Sequence, residues 1–65
     1  MQAFQERVIE ERNDLVEKVI KLKEFLENSE AVSNLIPGEK DRLQRQAEIM
    51  GQYITILDER IEYFQ

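Results

Sequence analysis

At 65 residues, with 14 acidic side chains against 9 basic ones and no cysteine or histidine, the chain is too short for a deep catalytic cleft. It also lacks the side chains for disulfides, thiol redox chemistry or the commonest zinc sites. The formal net charge of −5 argues against coating DNA or RNA by general phosphate attraction, but not against holding a small anionic ligand with a few converging arginines. So small a chain buries little apolar surface, and with staples and metals excluded, self-association is the remaining source of stability.

The N-terminal MQAFQER opens directly in a helical pattern. Phe4, Val8, Leu15, Val19, Leu22 and Leu26 recur at helical steps, with Phe4 to Leu15 to Leu26 and Val8 to Val19 each spaced by eleven. This predicts a first helix over about residues 2–28. A second apolar group, Ile9, Val16 and Ile20, falls roughly 100° round the same helix, with Gln5, Arg12 and Lys23 between the two. Asp14–Lys18 and Glu17–Lys21 have the spacing of stabilising i to i+4 pairs. Lys18, Lys21 and Lys23 suit the negative end of the helix dipole.

Asn28-Ser29-Glu30 ends this helix, with Ser29 placed to cap a short turn through Val32. A loop over about 29–36 leads to Pro37, a residue favoured in the first turn of a helix, and so to a second helix over about 37–64. Glu39 and Asp41 suit its positive end. At ~1.5 Å rise per residue each arm is roughly 40 Å long, and so short a connection makes the pair antiparallel. The expected fold is all-α: one domain over residues 1–65, a two-helix antiparallel hairpin that self-associates into a helical oligomer. The longest apolar runs are only a few residues, so neither a membrane span nor a signal-peptide core is expected, and the reading is of a soluble cytosolic protein.

The second helix carries two rows. Leu43, Met50, Leu57 and Phe64 recur every seven residues, with Ala47, Ile54 and Ile61 interleaved, which completes a core stripe. Beside it run Arg42, Ile49, Ile56 and Tyr63, with Gln46, Tyr53 and Arg60 between them. A hairpin buries one stripe per helix. Ile9, Val16, Ile20, Ile49, Ile56 and Tyr63 are therefore expected in water on a single copy and covered by another copy in the assembly. Gly51, costing ~1 kcal/mol in mid-helix relative to alanine, hints at something packed close to the backbone.

Two readings fit the polar residues at the seam. In one, Arg12, Arg42 and Arg60 lay their stems over the core edge and send their charge to water or a neighbouring glutamate. In the other, symmetry brings copies of one arginine and one tyrosine together into a pocket that no single chain owns. Such a pocket suits a compact, multiply charged aromatic ligand, with guanidinium forks for phosphates and phenol or apolar faces for bases.

Catalysis is not expected. Carboxylate pairs such as Glu10-Glu11 and Asp58-Glu59 sit on outward faces, where nothing shields a proton-transfer group. No Gly-rich phosphate loop, nucleophile elbow or HExxH sequence is present. Ser29 and Ser33 have no histidine to activate them. No cofactor or metal is expected.

The segments FQERVIEERNDLVEKVIKLKEFL and DRLQRQAEIMGQYITILDERIEYF together resemble, over nearly the whole chain, the short phage proteins that share the helical hairpin of the anti-CBASS and anti-Thoeris cyclic-nucleotide sponges. The most recognisable pieces are Gln5-Glu6-Arg7-Val8, Leu43 with Gln46, Met50 and Tyr53, and Leu57-Asp58-Glu59-Arg60-Ile61. The resemblance implies an immune-evasion homo-oligomer, with a hexamer favoured, made in the host cytoplasm during phage infection. It implies capture of cyclic oligonucleotide second messengers without cleavage, in pockets between protomers, with cyclic trinucleotides favoured and cyclic dinucleotides possible. The anti-Thoeris branch can bind a cyclic ADP-ribose signal.

Against longer members, this chain has no extra N-terminal helix before the hairpin. Where that segment builds a dinucleotide pocket, the pocket is open to loss here; the trinucleotide-type site, on the hairpin around a symmetry axis, is the expected survivor. The chemistry of the side chains selects Arg42, Arg45 and Arg60 as phosphate donors, Gln46 as a base-edge or phosphate partner and Tyr53 as a stacking or hydroxyl contact, with Arg12 and Lys21 as further candidates. Neither polymeric nucleic acid nor a membrane is an expected partner. The alternative is a small helical scaffold or adaptor whose second stripe docks another protein. An antirepressor-like, nucleic-acid-binding hairpin is disfavoured by the acidic charge.

Overall fold

The computed structural model describes all 65 residues. It contains α1 (Ala3–Glu27), α2 (Ser29–Ser33) and α3 (Glu39–Glu62). The long helices α1 and α3 pack antiparallel into a rod of 47 × 14 × 14 Å. At the open end, the rings of Phe4 and Phe64 meet edge to face with centroids 6.2 Å apart. Gln5 is buried there with both ends of its amide satisfied. Its Oε1 accepts from the Gln2 backbone N–H at 3.0 Å, and its Nε2 donates to the Gln65 carbonyl at 3.2 Å. A buried amide this well paired ties the chain ends together instead of carrying a desolvation penalty.

The connection differs from the expected loop. Asn28 leaves the helix in an extended conformation, and its side chain accepts from the Ala31 N–H at 3.1 Å, so Asn28 rather than Ser29 caps the five-residue α2. Ser33 closes that turn by donating to the Glu30 carbonyl at 2.7 Å. No basic residue lies in the last turn of α1, because Lys23 stands just before it. Pro37 lies before α3, not in its first turn, since Gly38 turns the chain through φ +86°. That left-handed backbone is accessible to glycine without the penalty a Cβ brings. Arg42 folds back over the turn, its Nε 2.8 Å from Glu39 Oε1 and its Nη2 3.4 Å from the Pro37 carbonyl.

Val8, Val19, Ala47 and Leu57 form the core, with Leu57 fully enclosed. On α3 every residue of the predicted core stripe is buried or half-buried. On α1 the contact line is displaced. Phe4 remains 49% exposed, while Gln5, Ile9, Arg12 and Val16 turn inward. The physical reason lies in the two periods: a row spaced by eleven winds one way and a row spaced by seven the other, so they cannot stay face to face along the rod. Ile9 and Val16, expected in water, are thus half-covered, whereas Ile20, Ile49, Ile56 and Tyr63 are exposed. No helix is long and apolar enough to cross a membrane.

Candidate functional site

The row Arg42, Gln46, Ile49, Tyr53, Ile56, Arg60 and Tyr63 runs along α3 with every member exposed. Two cross-helix bonds define the flanks of the hairpin. The Tyr53 hydroxyl donates to the Glu11 carboxylate on one side. Arg12 Nε donates to Asp58 Oδ1 at 2.8 Å on the other. Glu11 and Arg12 are consecutive in sequence yet straddle the α1–α3 seam.

Helical spacing assigns the rest. Arg42, Gln46 and Arg60 stand at steps of seven or multiples of three and four from Tyr53 and share its flank. Ile9, Val16 and Ile20 bear the same relation to Arg12 and share the Asp58 flank. The two extra apolar groups therefore occupy opposite flanks, not one continuous surface. One flank mixes arginine, glutamine and tyrosine with isoleucine; the other is aliphatic beside a self-neutralised ion pair.

The sequence-selected residues separate accordingly. Arg42 is held by Glu39 and the Pro37 carbonyl, and Arg45 Nε reaches Asp41 Oδ2 at 3.0 Å one turn back. Gln46 Nε2 lies 3.9 Å from the Met50 sulfur. These three form a loop-end group. Arg60, in the last turn of α3, and Tyr53 form a terminal-end group. Arg42 and Arg60 are separated by ~27 Å along the helix at 1.5 Å per residue, so one copy does not bring them together. Arg12 stands on the opposite flank. Lys21 points outward from α1 and pairs with Glu17 at 3.1 Å; the other expected helical pair, Asp14–Lys18, does not form.

Acceptance of the Tyr53 proton by Glu11, with smaller contributions from desolvation and the Glu11 charge, raises the Tyr53 pKa above the ordinary 10.0, against an opposing pull from Arg60. Tyr53 therefore stands as a neutral hydrogen-bonding phenol at neutral pH. The single chain encloses no pocket and gathers no acidic cluster able to hold a metal ion.

Arg7 and Lys18, which the sequence reading passed over as site residues, belong to the Tyr53 flank. Both are exposed and neither is in an ion pair. The signal was present as a polar row, Arg7, Glu11, Asp14 and Lys18, at steps of four, three and four. A polar row at helical spacing has the same pattern as an ordinary solvated face, so spacing alone does not mark it as a site. What this flank offers chemically is cationic forks, a phenol and aliphatic faces along a line, which suits the binding of anions bearing flat rings.

A protein-family model described as Sequestin matches residues 2–63. No curated protein and no solved structure matches the chain.

Proposed function

The chain belongs to the Sequestin family, and from that premise we propose that it is a non-catalytic phage immune-evasion protein that sequesters cyclic oligonucleotide second messengers. Cyclic trinucleotides are the favoured ligands and cyclic dinucleotides a second class, held intact at interfaces between copies, with a hexamer as the favoured assembly, in the cytoplasm of an infected host. The family's name is compatible with capture of a molecule, and the resemblance to cyclic-nucleotide sponges supplies the ligand class.

The observation that carries the reading is the Tyr53 flank. Arg42, Gln46, Tyr53 and Arg60 lie exposed in one line with Ile49 and Ile56 between them, and nothing in the single chain covers them. A second copy laid along this line completes a groove lined by guanidinium, amide, phenol and aliphatic groups, and brings loop-end and terminal-end residues of different copies together. Competition with a host effector calls for nanomolar affinity or better, ~12 kcal/mol or more.

The test is a thermal-shift panel of cyclic di- and trinucleotides and cyclic ADP-ribose isomers, with mass by light scattering on the same sample. A large rise in melting temperature with one ligand, at constant oligomer mass, supports a sponge and names its signal. Arg45→Ala is expected to abolish that rise without changing the mass.

A second reading has an observation of its own. Ile49 is 64% and Ile56 55% exposed, as a scaffold that docks another protein would require. It predicts indifference to every nucleotide in the panel and a stable mixed complex with a protein partner.

A further inference from the structure

We propose that Arg7 and Arg60 form a two-armed anion clamp at the open end of the Tyr53 flank, closing on one phosphate of a ligand whose base lies against Phe4. The clamp rests on the reading that a phosphate-bearing ligand is captured, and it adds a phosphate contact at the opposite end of the rod from Arg42 and Arg45.

Position comes first. Arg7 stands one turn before Glu11 on the same face of α1, and Arg60 stands two turns after Tyr53 on the same face of α3. Tyr53 and Glu11 are bonded across the helices, and Phe4 and Phe64 meet at a centroid distance of 6.2 Å. Arg7 falls between Phe4 and Glu11, and Arg60 between Tyr53 and Phe64. The two guanidinium groups therefore belong to one level and one flank, one from each helix. Phe4, one turn before Arg7 on that face, is 49% exposed and presents part of its ring beside them.

Charge comes second. Of the five arginines, Arg12, Arg42 and Arg45 are each paired with a carboxylate, and Arg7 and Arg60 are not. The positions one turn either side of Arg60 are Ile56, Leu57, Tyr63 and Phe64, so α3 supplies it with no acid at helical reach. Of the two carboxylates one turn after Arg7, Glu11 is engaged by Tyr53 and Glu10 makes no ion pair with it. In a chain with 14 acidic residues, these two guanidinium groups on one flank keep a positive charge that no direct ion pair matches. A phosphate neutralises it through forked, charge-assisted hydrogen bonds, and an adjacent aromatic face accepts a base.

The experiment follows the arginine Nε–Hε resonances of the intact protein by NMR during titration with pyrophosphate and, separately, with cyclic tri-adenylate. Arg7 and Arg60 are expected to shift together with both probes, and Arg45 much less with pyrophosphate. Arg7→Gln and Arg60→Gln are each expected to weaken cyclic tri-adenylate on the order of 10- to 100-fold, at unchanged oligomer mass and helical content. Arg7→Lys, which keeps the charge but not the fork, is expected to recover only part of the loss. If cyclic tri-adenylate binds and both glutamine variants bind it as the parent does, the clamp is wrong and the capture reading stands. A shift of both arginines with pyrophosphate alone upholds the clamp as an anion site and removes cyclic tri-adenylate as its ligand. Silence of Arg7 and Arg60 toward both probes overturns the clamp outright.

Discussion

Single side chains decide which flank faces which partner, and the Tyr53–Glu11 bond is the most informative of them. Because Glu11 holds its proton, Tyr53 is expected to ionise above 10.0 in an ultraviolet tyrosinate titration, isolated with Tyr63→Phe, and Glu11→Gln should bring it down. The sign for stability follows from a folded pKa raised above the unfolded one. The bond contributes fully below about pH 10 and is lost as pH rises through the folded pKa, so melting temperature should fall on the alkaline side. The two glycines should respond in opposite directions. At Gly38 the φ of +86° and a Cβ placed 2.8 Å from Arg42 Nη1 make alanine strained, at a cost of about 1–2 kcal/mol. At Gly51 nothing lies within 4 Å of an added Cβ, so Gly51→Ala should stabilise the hairpin by up to about 1 kcal/mol. A lower melting point with loss of oligomer mass would instead put a second copy against that glycine. The close packing that Gly51 hinted at in sequence is absent from the single chain.

Among the elements, α3 was the easier to read. Its strict spacing of seven keeps one stripe on one face, so Leu43, Ala47, Met50, Ile54, Leu57, Ile61 and Phe64 all turn inward as their spacing predicts. Leu57→Ala, at the enclosed centre of that stripe, should cost about 2–5 kcal/mol and leave a much lower melting temperature by circular dichroism. On α1, the spacing of eleven identifies a helix but not where its contact line runs against a partner of different period. Gln5 and Arg12 therefore turned inward while Phe4 stayed half in water. Local hydrogen-bond competition explains α2: Ser29 reads as its cap, but the neighbouring Asn28 is the side chain that accepts from Ala31. The candidate site was legible as a row of residue types on α3. Its division between two ends of the rod, and the presence of Arg7 and Lys18 on the same flank, required the pairing of the helices.

At the scale of the whole molecule, a rod 14 Å across has almost no interior, and only 5 of 65 residues are buried. Such a hairpin is marginal by itself, so the melting temperature should rise with protein concentration, and dilution should lower both mass and helicity together. On the proposed reading the aliphatic flank contributes to assembly alone, whereas the Tyr53 flank contributes to assembly and lines the groove. Ile20→Glu, on the aliphatic flank, is expected to reduce the mass seen by light scattering, whereas Arg60→Gln is expected to leave it intact. The central claim, capture without chemistry, is tested most directly by equilibrium dialysis of the purified oligomer against cyclic tri-adenylate. Heat release and chromatography of the retained nucleotide then report its fate. The account predicts retention in fixed proportion to protein and recovery of the ring unbroken; no retention, or recovery of linear products, would contradict it.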